Sequence, residues 1–196
     1  PKAITYIDLF SGIGGFPGGT QPGRGFVCVG HCEIDKYADR SYRAIHNIKE
    51  DEWYAADITK VTPAELPRAD LWAAGFPCQD ISVAAVSEGL TEQEADLFTL
   101  AELVKGQSPE NRPTWIVLEN VKNLLSIHGG WDFATVLDTL ASLGYHIEYG
   151  LLNTKYFGPL KIVSECSLSL ADILEPDADP KYFLSPQAVA KLLSNS

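Results

Sequence analysis

The feature that most constrains this chain is the alternation of short apolar runs with longer amphipathic segments along its first 152 residues. The apolar runs, which favour β-strands, span residues 3–10, 26–32, 70–75, 114–119 and 145–152. The amphipathic segments, which repeat apolar residues every three or four positions as helices do, span residues 36–47, 94–105 and 131–143. Such alternation predicts an α/β fold with a mostly parallel, doubly wound sheet covered by helices on both faces.

Composition narrows the class of protein further. The chain carries 26 Asp and Glu against 15 Lys and Arg, a formal charge of −11, which argues against a surface that binds nucleic acid non-specifically. Its four cysteines form no C-x-x-C pair, so we expect neither a disulfide framework nor a bound metal. No apolar run approaches the length of a membrane helix and the N-terminus lacks a signal-peptide pattern. We therefore expect a reducing, cytoplasmic compartment and no membrane partner.

A glycine cluster follows the first predicted strand and contains Ser11, Gly12, Gly14 and Gly15. In an open α/β sheet, ligands bind beyond the carboxyl ends of the strands, where glycines let the backbone approach them. Glu33 follows the second predicted strand, where an acid can accept hydrogen bonds from ribose hydroxyls. The pair favours a nucleoside-containing cofactor; the alternative is a structural turn with a solvated glutamate. The spacing is not G-x-G-x-x-G, which makes a dinucleotide a weaker hypothesis.

Two further strand ends carry reactive side chains. Cys78 lies in a proline-containing turn after the run 70–75, where a nucleophile would be well placed; the alternative is a small buried core cysteine. Glu119 ends the run 114–119, at the same edge of the predicted sheet. A carboxylate there can have a raised pKa and act as an acid, or can simply be favourable near a helix N-terminus.

Four motifs occur in a fixed order along the chain: DLFSGIGGF, CEIDKYA, GFPCQDIS and LENVKNLLS. This set resembles the cytosine-C5 DNA methyltransferase family over roughly residues 4–160, the front part of the family's catalytic domain. The resemblance implies the Rossmann-like fold of S-adenosylmethionine-dependent methyltransferases and methylation of carbon 5 of cytosine in DNA. It also implies a bacterial or phage protein, associated with the nucleoid, with a plausible role in restriction–modification.

The resemblance further implies which residues hold S-adenosylmethionine and its product S-adenosylhomocysteine. Glu33 would bind the ribose hydroxyls, while Ile34 would lie against the adenine. Asp57 and Ile58 match the family's adenine-contacting acid and its apolar neighbour. The remaining residues of the pocket would be Phe10, Ser11, Gly12, Gly14, Gly15, Pro77 and Leu97.

By the same resemblance, Cys78 and Glu119 are the catalytic residues. The Cys78 thiolate would add to carbon 6 of cytosine, while Glu119 would hydrogen-bond the ring N3 and the exocyclic amine. Carbon 5 would then attack the methyl group, and loss of its proton would expel the cysteine. Because a stacked base cannot react in this way, the DNA partner must present a flipped cytosine.

The chain departs from the family pattern in its second half. Residues 83–98 carry four acids and no base, where the family has a loop that closes over DNA. After Gly158 the family's glutamine and two arginines are absent, as are the target-recognition domain and the last two motifs. We therefore expect residues 1–163 to form an incomplete catalytic domain. Residues 164–196, with no clear strand and one short helix at 186–193, would form a connector toward an absent recognition domain.

Three explanations of these departures stay open. The chain can be a piece of a larger enzyme, or one subunit of a split enzyme whose partner carries recognition. It can be a catalytically degenerate homologue that serves as a regulatory or binding subunit. It can also lack residues of the natural protein. A tRNA cytosine methyltransferase on the same fold is the nearest alternative activity.

Overall fold

The computed structural model describes residues 2–16, 25–76, 95–152 and 166–173. The strands are β1 (Ile4–Leu9), β2 (Phe26–Cys32), β3 (Trp53–Ala55), β4 (Leu71–Ala74), β5 (Trp115–Val121), β6 (Tyr145–Leu152) and β7 (Cys166–Ile173). The α-helices are α1 (Lys36–His46), α2 (Ala95–Lys105) and α3 (Trp131–Ser142). Short 3-10 helices cover Ile58–Lys60, Pro63–Glu65, Lys122–Leu125 and Ile127–Gly130. Within the described ranges, no helix has the length and apolar character needed to cross a membrane.

The seven strands form one sheet in the order β3-β2-β1-β4-β5-β7-β6. Strands β1 to β5 pair in parallel, and β7 runs antiparallel to both of its neighbours. The strand order reverses at β1, whose neighbours are β2 on one side and β4 on the other. Such a switch point leaves a crevice at the carboxyl ends of the two central strands. The prediction of an α/β fold with a mostly parallel sheet is confirmed.

The core lies on both faces of the sheet because its central strands are buried on both sides. On one face, Ile7, Trp72 and Ile116 pack with Leu100 of α2 and Leu140 of α3. Neighbouring residues along the same strands point to the other face, where a smaller cluster contains Tyr6, Leu71 and Val117. Helix α1 covers that second face, so the helices are distributed on both sides, as a doubly wound fold requires.

The ends of α1 are set by local chemistry. The Asp35 carboxylate accepts hydrogen bonds from the backbone N–H groups of Tyr37 (2.7 Å) and Ala38 (3.0 Å), which caps the first turn. At the other end Asn47 adopts a left-handed conformation with φ of 51°, which stops the helix after His46. The helix therefore begins three residues after Glu33 and ends on a histidine, and both Glu33 and His46 face the glycine loop described below.

One expectation about the C-terminal segment is wrong. Residues 164–196 are expected to hold no clear strand, whereas Cys166–Ile173 forms β7, which pairs with β6 along its whole length and with β5 through Asp172. The stretch does alternate cysteine or leucine with serine through residue 170, which is a strand pattern, but acids and prolines follow it closely. The boundary predicted at residue 163 thus precedes a strand of the same sheet. The helix expected at 186–193 lies outside the described residues.

Candidate functional site

The glycine loop after β1 is held by the carboxylate that follows β2. The backbone N–H of Gly12 donates to Oε2 of Glu33 at 2.7 Å, and the N–H of Asp35 donates to Oε1 at 2.8 Å. A backbone N–H that donates to a carboxylate makes a strong, charge-assisted bond. Each carboxylate oxygen has a second lone pair, so Glu33 can position the loop and still accept two hydroxyl donors.

The loop adopts an unusual backbone conformation. Phe10, Gly12 and Gly14 all have positive φ values, of 56°, 55° and 98°. Positive φ is costly for a phenylalanine and marks a position that its surroundings hold in place. Ser11 donates its N–H to the carbonyl of Cys32 at 3.1 Å, and its own hydroxyl is buried without a hydrogen-bond partner among the described residues. A buried hydroxyl without a partner at a glycine loop suits a polar ligand.

A group of acids lies near the ends of β2 and β3. The Asp57 carboxylate caps the 3-10 helix Ile58–Lys60 by accepting from the N–H of Thr59 at 3.0 Å and pairs with Lys60 at 2.9 Å. Hydrogen bonds from Thr59 and Lys60 lower the pKa of Asp57. A pocket of about 310 Å³ opens beside Asp57. The side chains of Ile58 and Leu97 lie in the main core, so only a small part of each side chain could contact a cofactor.

Asp96, in the first turn of α2, belongs to the same group of acids. Burial, and then the charge of Asp57, raise the pKa of Asp96 to about 6. Burial raises the pKa of the Cys32 thiol to about 12, with further contributions from the charges of Glu33, Asp57 and Asp96. A helix N-terminus normally favours an anion, so at Asp96 desolvation outweighs the helix dipole. These carboxylates make the edge electrostatically negative.

Glu119 reaches the crevice from the neighbouring strand. Its Oε2 lies 3.4 Å from the position that a Cβ on Gly75 would occupy, and the carbonyl oxygen of Phe10 lies 4.0 Å from the same position. Because Gly75 has no side chain, the ends of β1 and β4 and the Glu119 carboxylate can lie close together. Burial raises the pKa of Glu119, which favours a protonated carboxyl that can donate a hydrogen bond.

Asn120 fixes the end of β4. Its Nδ2 donates to the carbonyl oxygen of Phe76 at 2.9 Å in a buried position, and its Oδ1 accepts from the N–H of Val121 at 2.9 Å. The Phe76 carbonyl immediately precedes Pro77. The amide of Asn120 therefore ties the end of β5 to the segment that leads toward Cys78.

A buried polar cluster lies under the loop, between the sheet and α1. Tyr42 hydrogen-bonds Asp8, and its hydroxyl lies 3.7 Å from the Cys28 sulfur. Its ring stacks on His31 at a centroid distance of 4.3 Å, and Nε2 of His31 lies 2.8 Å from Asp39. Burial raises the pKa of Asp8 well above its usual range. This cluster lies next to the glycine loop, because Asp8 belongs to β1, the strand that leads into that loop.

The structure brings most of the predicted site residues to one edge of the sheet. Ile34 follows Glu33 and is 76 % exposed, and Gly15 lies where the loop passes into helical backbone. Cys78 and Pro77 lie outside the described residues. Among the described residues, no group of His, Cys, Asp and Glu could hold a metal ion. Sequence reasoning missed Asp96 and Asn120; the latter stands beside Glu119 in the ENV motif, which was its one signal.

We expect Asp96→Asn to stabilise the protein only at neutral pH. The pKa of Asp96 is about 6 in the folded chain and near 4 when unfolded, so its ionisation in the folded chain costs stability. That cost is absent below about pH 4 and complete above about pH 6. Thermal unfolding should give equal midpoints for Asp96→Asn and wild type at pH 4 and a higher midpoint for the variant at pH 7.5. Asp138→Asn, at an exposed site, controls for the net-charge change. Equal shifts at both pH values would contradict the assignment.

Replacing Asn120 by alanine should destabilise the chain because it leaves the buried Phe76 carbonyl without its donor. We expect a loss of about 1–3 kcal/mol in the free energy of unfolding, measured by urea titration. Asn120→Asp should cost more, since a carboxylate oxygen would then face that carbonyl. Asn123→Ala, at an exposed position three residues further on, should change the free energy by less than about 0.5 kcal/mol. Equal effects of Asn120→Ala and Asn123→Ala would argue against the anchoring role.

A protein family and several known methyltransferases match this chain in sequence. The family described as C-5 cytosine-specific DNA methylase matches residues 4–160. The type II methyltransferase M.NgoBI of Neisseria gonorrhoeae is 37 % identical over 96 % of this chain and 63 % of its own length. The orphan methyltransferase M.SPRI of Bacillus phage SPR is 38 % identical over 79 % of this chain and 34 % of its own length. The chain thus spans about one third to nearly two thirds of these relatives.

Solved structures give the same fold. The Dnmt2 methyltransferase of S. pombe superposes with a TM-score of 0.65 at 18 % identity, covering 89 % of this chain and 53 % of its own. The Entamoeba histolytica methyltransferase EhMeth gives 0.65 at 16 % identity, covering 91 % and 56 %. These likenesses confirm the Rossmann-like methyltransferase fold. With its glycine loop, Glu33 and Glu119 at one edge of that fold and the family match across 157 of its residues, the chain belongs to the C-5 cytosine-specific DNA methylase family.

Proposed function

We propose that this chain binds S-adenosylmethionine beside the β1–β4 crevice and supplies the catalytic residues for methyl transfer to carbon 5 of cytosine in DNA. The observation that carries the proposal is the position of Glu119. Its carboxylate stands against Gly75, on the strand that leads to Cys78, and near the backbone of Phe10 in the glycine loop. One crevice can therefore hold a cofactor on one side and a cytosine on the other.

The described residues fit S-adenosylmethionine. Glu33 keeps lone pairs for the two ribose hydroxyls, and the buried Ser11 hydroxyl offers a further polar contact. The exposed side chain of Ile34 can cover one face of the adenine. The cofactor carries a net positive charge through its sulfonium and ammonium groups, which suits the carboxylates of Glu33, Asp57 and Asp96. When bound, it supplies an electrophilic methyl group.

Glu119 and Cys78 then act on the flipped base. Carbon 5 of cytosine is a poor nucleophile until the Cys78 thiolate adds to carbon 6 and makes carbon 5 enamine-like. A protonated Glu119 can donate to the ring N3, which accepts electron density during that addition, and burial favours this protonated form. Carbon 5 takes the methyl group, and removal of its proton restores the 5,6 double bond and expels the thiolate. The role of Cys78 rests on the GFPCQ motif.

Recognition of DNA is proposed to come from elsewhere in the enzyme. The chain covers at most 63 % of the relatives compared above, and the stretch 83–98 holds four acids and no base. Phosphate contacts need Lys or Arg, so a further part of the same protein, or a second subunit, would supply the basic surface. The charge of −11 is compatible with DNA methylation on that basis.

Cofactor binding is the first expected result. Calorimetric titration with S-adenosylhomocysteine should give binding to the wild-type chain, and Glu33→Gln should weaken it about 10- to 100-fold, the loss typical of hydrogen bonds to a charged group. Glu50→Gln, at an exposed acid on the loop after α1, should bind like wild type. A folded wild-type chain that does not bind S-adenosylhomocysteine would contradict the proposal and favour a non-enzymatic regulatory subunit.

The covalent step can be trapped with DNA that contains 5-fluorocytosine, because fluorine at carbon 5 blocks the final proton loss. Single-stranded or mismatched DNA lowers the cost of extruding the base, so the trap depends less on sequence recognition. With S-adenosylmethionine present, intact mass spectrometry should reveal an adduct for wild type, less for Glu119→Gln and none for Cys78→Ser.

The matched control for the trapping experiment is Cys28→Ser. Burial raises the pKa of the Cys28 thiol, which makes it a poor nucleophile, so this variant should keep the adduct. An adduct with 5-fluorocytosine tRNA but not with DNA would replace DNA by tRNA as the substrate. No adduct from a wild-type chain shown to bind the cofactor would contradict the covalent mechanism.

A further inference from the structure

The end of α1 contacts the glycine loop through His46. Its Nε2 lies 3.0 Å from the carbonyl oxygen of Ile13. A carbonyl oxygen can only accept a hydrogen bond, so Nε2 carries the proton and donates it. The N–H of Gly14, on the far side of the same peptide group, donates to the carbonyl of Ser11 at 2.9 Å. Because a peptide group is planar, it cannot rotate here without losing both bonds.

The His46 ring also occupies the space beside Gly14. A Cβ built on Gly14 would overlap the imidazole, with Nε2 as the nearest atom. Gly14 has a φ of 98°, which L side chains rarely adopt. Glycine at this position therefore serves two needs at once, the backbone conformation of the loop and the close approach of the histidine.

The core holds His46 in place. Its ring contacts that of Tyr42 at a centroid distance of 4.8 Å, and Tyr42 is fully buried against His31 and the hydrogen-bonded Asp8. Tyr42 therefore stacks on His31 and contacts the tilted ring of His46, which links His46 to the buried core under α1. The loop is therefore hydrogen-bonded near both ends of α1. Glu33, just before the helix, accepts from the N–H of Gly12, and His46, its last residue, donates to the carbonyl of Ile13.

We propose that His46 is a positioning residue for cofactor binding: it fixes the Ile13–Gly14 peptide group and thereby the shape of the loop that receives S-adenosylmethionine. Its effect on cofactor affinity rests on the function proposed above, whereas its effect on the loop does not. It acts through the loop backbone and is assigned no contact with the cofactor.

Two substitutions separate the hydrogen bond from the packing. His46→Phe keeps an aromatic ring against Tyr42 but has no donor, and His46→Gln keeps an N–H donor without the ring. Ile45→Ala, one residue earlier and 61 % exposed, is the matched control. Thermal unfolding of each variant establishes that it folds.

Two readouts follow the loop and the cofactor separately. In hydrogen exchange by NMR without cofactor, the Gly14 amide should exchange faster in His46→Phe than in wild type. In calorimetry with S-adenosylhomocysteine, His46→Phe should raise Kd about 3- to 10-fold, the range expected for one neutral hydrogen bond. In both the Gly14 exchange rate and the Kd, His46→Gln should lie nearer to wild type than His46→Phe does. Ile45→Ala should give the wild-type values.

Unchanged Gly14 exchange and unchanged affinity in His46→Phe would overturn the proposal. So would changes of the same size in Ile45→Ala, which would show a general effect on α1. If the wild-type chain binds no S-adenosylhomocysteine, the proposed function fails, while the comparison of Gly14 exchange rates still decides whether His46 positions the loop.

Discussion

Strand β1 pairs in parallel with β2 on one side and with β4 on the other, and this pairing determines where the polar side chains and loops of the candidate site lie. Parallel strands end at the same edge of a sheet, so the loops that follow β1, β2 and β4 emerge side by side. The glycine loop, Glu33 and the segment toward Cys78 are those three continuations. Strand β5 adds Glu119 and Asn120 from the next position in the sheet. Strand order places these groups near one another, and hydrogen bonds such as those from Gly12 to Glu33 and from Asn120 to Phe76 then connect them.

The carboxyl groups near this edge of the sheet differ in how far they are buried and in which groups donate to them. Two backbone N–H groups donate to the Glu33 carboxylate, whereas Glu119 is buried, and burial raises the pKa of Glu119. Asp8 is almost fully buried, and burial raises its pKa well above the usual range, which favours the neutral form of its carboxyl. On the proposed function, the same functional group would serve as ribose acceptor, as proton donor or as support for the loop, according to how much solvent and how many donors surround it.

The sequence predicts those strands and helices whose pattern of apolar residues extends over several positions. The apolar runs that became β1, β2, β4, β5 and β6 are six to eight residues long, and the three helices keep a regular apolar spacing. Strand β3 was missed because three residues cannot establish a period. Strand β7 was missed because its pairing is entirely long-range, with β5 and β6, and because the composition around it resembles a connector.

The site likewise contains some residues that could be predicted from the sequence and others that could not. Glycines followed by an acid at the end of the next strand form a local pattern, so these residues could be assigned to one site, but their direct hydrogen bond was not predicted. Asn120 and His46 could not, since each acts on a carbonyl 44 or 33 positions away in the chain. A polar residue at the end of a strand or helix has the same local pattern whether or not it finds such a partner. The roles of Cys78 and Pro77 stay predictions from the motif.

The most direct test of the account is amide NMR of the ¹⁵N-labelled 21.4 kDa chain titrated with S-adenosylhomocysteine. The account predicts that the largest shift changes fall on the amides of Gly12, Gly14, Glu33 and Ile34, at the carboxyl edge of β1 and β2. Changes confined to the groove of about 690 Å³ between Pro63 and Phe98, or spread evenly over the chain, would contradict it.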